Sequence, residues 1–192
     1  MYDADNELLT RTHAIRTYAP EDFEGMRRAG RLVAEALDMI AAEVKPGITT
    51  GRIDDLIRQF TYDHGGLPAC LGYKGYTRTT CTSINHVVCH GIPGDKVLKD
   101  GDIVNIDHTV VVDGWHGDSS RMYAVGQINP RARKLIDVTY ESLRIGLEQV
   151  KPGNTFGDIG YAIQKYVEAQ RMSVVRDFCG HGIGRIFHDS PN

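Results

Sequence analysis

Ile103-Val104-Asn105-Ile106-Asp107-His108-Thr109-Val110-Val111-Val112, then Asp113-Gly114, then Trp115-His116-Gly117-Asp118-Ser119-Ser120, is the stretch on which the reading of this chain turns. Two runs rich in β-branched and aromatic residues flank an Asp-Gly pair, which is the pattern of a β-hairpin closed by a two-residue turn. Val112 then faces Trp115, paired residue numbers sum to 227, and Asp118 sits opposite Thr109. Side chains alternate along a strand, so Asp107 shares a face with Thr109 and is a diagonal neighbour of Asp118, about 7–8 Å away at the backbone. Aspartate is depleted in strands. Two carboxylates side by side on a half-buried sheet repel unless one is protonated or a cation lies between them. The plainer reading, one aspartate solvated and the other capping a turn, stays open at this point. Histidines in nearby His-Gly segments would add imidazole nitrogen, a donor that suits Zn, Fe, Co or Mn, while the carboxylates suit the harder end of that range.

Outward from the hairpin the period changes. Residues 67 to 126 carry short β-branched runs and glycine-rich turns, whereas both flanks have helical spacing. Upstream, Pro20-Glu21-Asp22 opens a helix with Met26, Ala29, Val33, Leu37, Ile40 and Val44 on one face, and Pro46-Gly47 stops it. A second helix, with a cap hydroxyl from Thr49 or Thr50, carries Ile53, Leu56, Ile57 and Phe60 and ends near Gly65-Gly66. Downstream, Ile136, Tyr140, Leu143, Leu147 and Val150 mark a third helix between Pro130 and Pro152-Gly153.

The second half repeats the first. Val44-Lys45-Pro46-Gly47 recurs as Val150-Lys151-Pro152-Gly153, and at the same offset of 106 residues Thr49, Gly51, Ile53 and Ile57 recur as Thr155, Gly157, Ile159 and Ile163. His90-Gly91-Ile92 returns as His181-Gly182-Ile183 at an offset of 91, and eleven residues follow His181. The expected fold class is therefore α+β, with a helix-helix-hairpin unit used twice and a second copy that stops before its hairpin. Residues 1–19 read as a polar N-terminal extension and 20–192 as one domain, incomplete at its C-terminal end.

Composition narrows the function classes. The 192 residues carry 25 acidic and 22 basic side chains, a formal charge of −3, and no stretch concentrates lysine and arginine enough to follow a phosphate backbone, so no nucleic-acid binding is expected. No run approaches the 18 apolar residues of a membrane span, and the opening residues are acidic where a secretory signal is basic, which points to the cytoplasm. Cys70, Cys81, Cys89 and Cys179 include no CxxC pair and read as buried thiols.

Five segments carry a resemblance: ACLGY at 69–73, INHVVCHGIPGD at 84–95, LKDGDIVNID at 98–107, WHGDSSRMY at 115–123 and VVRDFCGHGIGRIFHDSP at 174–191. Together they resemble the type I methionine aminopeptidases, metallopeptidases of the duplicated pita-bread fold, from Pro20 to the end of the chain. The resemblance implies metal-dependent hydrolysis that removes the initiator methionine from peptides and nascent chains, in a cytoplasmic and usually monomeric enzyme that works near the ribosome. It implies two divalent ions per site (Co, Mn, Fe or Zn), with Asp107, Asp118 and His181 as ligands and Asp118 bridging. His90 and His188 match the imidazoles that contact the substrate and its tetrahedral intermediate. Cys70, Tyr73, Tyr76, Cys81 and Phe187 match the pocket for the methionine side chain, a sensible lining because a thioether packs well on rings. His86, His108 and His116 read as ordinary structural histidines. Thr77 stands where proline is common in the family.

Members of the family also supply two glutamate ligands and a pocket aromatic from a segment beyond the position matching Asn192, so this chain is expected to bind metal more weakly, and its own activity stays open. Two alternatives remain: a non-catalytic peptide-binding remnant of the same fold, and a related Xaa-Pro peptidase.

Overall fold

In the computed structural model, which describes residues 15–192, the elements run α1 (Asp22–Ala41), α2 (Thr50–Asp63), β1 (Leu67–Pro68), β2 (Thr80–Ile84), β3 (Ile103–Val112), β4 (Trp115–Ala124), α3 (Pro130–Glu148) and α4 (Phe156–Ala169). Most of the expected polar extension, residues 1–14, lies outside the described residues. The hairpin has the register expected of it: Val112 pairs with Trp115 and Thr109 with Asp118. Asp113 and Gly114 both take positive φ, 50° and 77°, as a two-residue turn matched to strand twist requires. β3 is the spine of the sheet, with β4 along one edge and β1 and β2 sharing the other, all antiparallel.

The two faces of β3 have different fates. Val104, Ile106, His108 and Val110 are buried under the helices, while Asn105, Asp107 and Thr109 point to the opposite side. α1 buries Ala29, Val33, Leu37 and Ile40 as its spacing predicts, with Val44 buried just beyond its end, α2 buries Ile53 and Ile57, and Leu56 and Phe60 pack partly buried beside them. α1 starts two residues later than Pro20 suggests, and the Asp22 carboxylate accepts a hydrogen bond from the Ala19 N–H at 3.1 Å. Thr49 caps α2 by accepting from the Arg52 N–H at 3.1 Å. A Cβ at Gly117 would overlap the backbone of Ala29, so this glycine lets α1 lie directly on β4. Beneath the sheet Thr61 donates to the Ile57 carbonyl at 2.8 Å and therefore accepts from His108 Nε2–H at 3.0 Å. Burial pulls the His108 imidazole down to about 4, so it is neutral and structural.

The described residues divide into two compact units, one running to Gln127 and including Gly180–Asn192, the other Ile128–Cys179. The second unit holds α3 and α4, which match α1 and α2 closely in length, 19 and 14 residues against 20 and 14. Gly47 and Gly153, at equivalent places in the repeat, have φ of 98° and 93°. Thr155 and Asp158 close a capping box on α4, at the place where Thr49 caps α2. Burial does not repeat. α3 turns Val138, Ser142 and Gly146 inward, and a Cβ at Gly146 would come 2.8 Å from Ile163 of α4, so small residues seat this helix pair. Tyr140, Leu143, Leu147 and Val150, whose helical spacing marked this helix, are 54–66% exposed. All four thiols are free, as expected, but only Cys81 is buried: Cys70 and Cys89 are half-buried and Cys179 is exposed.

Candidate metal centre and substrate pocket

The strand register sets Asp107 beside Asp118. Cys81 pairs with Asp107 across β2 and β3, and Thr109 pairs with Asp118 across β3 and β4, so these four side chains share the face away from the helices. The Thr109 hydroxyl donates to one Asp118 oxygen, Oδ1, at 2.8 Å. The other oxygen, Oδ2, lies 3.5 Å from His181 Nε2. His181 Nδ1 is 2.9 Å from the Gly182 carbonyl, which only accepts, so the proton sits on Nδ1. Unless the ring is doubly protonated, Nε2 then presents a lone pair to a carboxylate oxygen. A proton or a cation belongs between them. Burial, and after it the charge of Asp118, pushes the Asp107 carboxyl up to about 6, against a smaller opposing pull from His181.

The segment around His181 is a small closed loop. Gly182 and Asp189 exchange two backbone hydrogen bonds of 2.9 Å, and a Cβ at Gly182 would overlap the Ser190 carbonyl. On this loop the Phe187 and His188 rings stack with centroids 4.0 Å apart, and His188 lies 4.4 Å from His181. His188 Nδ1 is hydrogen-bonded to the Tyr73 hydroxyl at 2.9 Å, and the Tyr73 ring is 5.0 Å from Phe187. Burial, with the neighbouring His181, holds His188 below the usual imidazole range, so it is neutral at pH 7.

The thiols of Cys70 and Cys81 lie beside the same carboxylates. Cys70 is pushed up to about 12, first by burial, then by the Cys81 thiol and Asp107. Cys81 and Tyr76 are also raised, burial leading in both, and the Tyr76 hydroxyl donates to the Thr80 carbonyl at 2.9 Å. These thiols are protonated apolar surface at neutral pH, not nucleophiles. His90 is exposed, with a φ of 57° that non-glycine residues rarely adopt. The next residue holds it there: Gly91 accepts from the Thr82 N–H at 2.7 Å, donates to the Ser83 hydroxyl at 3.1 Å, and has no room for a Cβ against the Thr82 carbonyl.

The structure thus brings Asp107, Asp118, His181 and His188 to one neighbourhood, with Tyr73 and Phe187 on one flank and Cys70, Tyr76 and Cys81 on another. Among the described residues no three His, Cys, Asp or Glu side chains yet converge on a single point. The donors nevertheless suit a divalent cation: a buried carboxyl with a raised proton affinity, a second carboxylate, and an imidazole whose tautomer is fixed by a backbone carbonyl, as is usual for ligating histidines. His116, read from the sequence as a structural histidine, anchors the His181 loop, a role the sequence did not specify. Its N–H donates to the Gly184 carbonyl at 2.9 Å, its Nδ1 lies 3.1 Å from the same oxygen, and its ring stacks on Phe187 at 5.7 Å, which ties the His181 loop to β4.

A sheet that pairs two carboxylates with an imidazole on a glycine-rich loop is the architecture of a metallopeptidase, and the model of metallopeptidase family M24 matches residues 24–192: the chain belongs to that family. The methionine aminopeptidase of Rickettsia prowazekii is 56% identical over 178 residues, 93% of this chain and 69% of that protein, and the Escherichia coli K12 methionine aminopeptidase is 54% identical over 180 residues, 93% and 68%. The crystal structure of the R. prowazekii enzyme superposes with a TM-score of 0.92 over 93% of this chain and 72% of that one. That of Thermotoga maritima methionine aminopeptidase gives 0.90 at 38% identity, with the same coverage of 93% and 72%. Within the family the chain belongs with the methionine aminopeptidases, and its fold is the pita-bread fold.

Proposed function

We propose that this chain removes N-terminal methionine from peptides and nascent chains by metal-dependent hydrolysis, with Asp107, Asp118 and His181 as its metal donors. The observation that carries the proposal is the facing of Asp118 Oδ2 and His181 Nε2 at 3.5 Å beside the buried Asp107 carboxyl. A divalent ion bound there supplies Lewis-acid polarisation and an acidified water. The protein's own share is positional. Thr109 holds one Asp118 oxygen and leaves the other free for a cation. His188, oriented by Tyr73, is the donor for the oxyanion of the scissile carbonyl, and His90 is the hydrogen-bonding partner of the scissile amide. Tyr73, Tyr76, Phe187, Cys70 and Cys81 form the apolar, polarisable lining for the methionine thioether.

Mn, Co, Fe(II) and Zn are the candidate ions on donor chemistry. No helix among the described residues is long and apolar enough to cross a membrane, and the proposed setting is the cytoplasm, on chains leaving the ribosome. The test is methionine release from a Met-Ala-Ser peptide with each metal in turn. Release that a chelator stops and that Asp118→Asn abolishes is expected. A folded, metal-loaded chain that binds the peptide without releasing methionine would overturn the hydrolytic reading of these 192 residues in favour of a peptide-binding one.

A further inference from the structure

His181, Phe187 and His188 sit on a segment, Gly180–Asn192, with no helix or strand of its own beyond the Gly182–Asp189 bridge. Irregular segments hold their geometry only through what they touch. At the end of this loop away from the carboxylates, beside the His116–Gly184 contact, several interactions converge on one residue, Arg185. Arg185 Nη1 donates to the Asp113 carbonyl at 2.6 Å, and its guanidinium lies 4.1 Å from the centroid of the Trp115 ring. The Arg185 backbone N–H donates to the Tyr18 hydroxyl at 3.2 Å, and Tyr18 meets Trp115 edge-on at 5.2 Å.

The receiving surface is shaped for this arrangement. Gly114 has no Cβ where one would stand 2.8 Å from Arg185 Nη1, and Gly184 has none where the Tyr18 hydroxyl lies. Arg28 of α1 binds the Asp113 carboxylate at 3.2 Å, which fixes the turn from the other side. We propose that Arg185 is a positioning residue, a clamp by which the β3–β4 turn sets where His181 and His188 stand relative to Asp107 and Asp118. Arg185 touches neither donor. It acts through the loop, by keeping the metal-competent arrangement populated. Apparent affinity falls in proportion to the competent fraction, so loosening the clamp weakens cation binding without removing a donor. Arginine suits the place because one planar group stacks on indole while its edge donates to a carbonyl.

The inference rests on the assignment of the metal to Asp118 and His181, and its test separates the two claims. Chelator-stripped protein is titrated with Co(II), read by the visible absorption of the bound ion, for wild type, Arg185→Met, Arg185→Lys, Tyr18→Phe and Asp118→Asn, with a melting curve for each. The expected result is a loss of affinity of about tenfold and an altered spectrum in Arg185→Met at little change in melting temperature. Arg185→Lys, which keeps the charge but not the planar group that stacks on Trp115, should recover only part of the affinity, and Asp118→Asn should abolish binding. Tyr18→Phe, which removes only the hydroxyl, should weaken binding in the same direction and serves if Arg185→Met does not fold. Wild-type affinity in Arg185→Met and Tyr18→Phe, with binding lost in Asp118→Asn, overturns the clamp and leaves the metal assignment standing. Unchanged binding in Asp118→Asn, or none in wild type, overturns both.

Discussion

Asp107 is the residue at which the electrostatics and the chemistry meet. Its carboxyl is raised to about 6 in the metal-free fold, chiefly by burial and then by the neighbouring Asp118. A raised carboxyl favours the fold below its unfolded value near 4, and that contribution is lost as pH rises through 6. A divalent ion needs the carboxylate and displaces the proton. Metal loading at pH 5.5 should therefore release protons, seen as a calorimetric enthalpy that varies with the ionisation enthalpy of the buffer, and Asp107 should contribute none at pH 7.5. Equal proton release at both pH values would show that Asp107 is not a ligand. The proximity of Asp107 and Asp118 was legible in the sequence, because an Asp-Gly turn fixes register and register fixes faces. The anchoring roles of His116 and Arg185 were not. Their partners lie 68 and up to 167 residues away, and no local pattern marks a contact of that range.

Among the elements, α1 and the hairpin are the most tightly fitted pair. Gly117 presses against the Ala29 backbone, which cannot rotate aside as a side chain would. Gly117→Ala should cost about 1–3 kcal/mol through overpacking. For a chain of this size that is a fall of roughly 2–4 °C in melting temperature per kcal/mol, read by thermal unfolding. A melting curve identical to wild type would mean that α1 stands further off the sheet. α1, α2 and the hairpin were all readable, since each has a clean period and recognisable caps or turns. For α3 the period gave the helix but not its buried face. Helical spacing reports that apolar residues share a stripe, not what covers them, and here Ser142 and Gly146 make the close approach to α4.

Across the whole molecule, apolar surface is distributed unevenly. The unit running to Gln127 has a closed core beneath its sheet, whereas in Ile128–Cys179 Tyr140, Leu143, Leu147, Val150, Phe156 and Tyr161 are 54–69% exposed. Exposed apolar groups at this density favour association. The 192-residue chain should bind a hydrophobic dye and self-associate at high concentration, and Leu143→Glu with Leu147→Lys should reduce both, as read by dye fluorescence and size-exclusion chromatography. The repeat at an offset of 106 residues was legible because caps and turn glycines recur in order, although burial does not recur with them. The account as a whole stands on a cation between the carboxylates of the hairpin and the imidazole of the His181 loop. Calorimetric titration of the chelator-stripped chain with Mn(II), beside Asp118→Ala, tests this most directly. Saturable binding in wild type that vanishes in Asp118→Ala is the predicted result; binding of the same strength in both would contradict it.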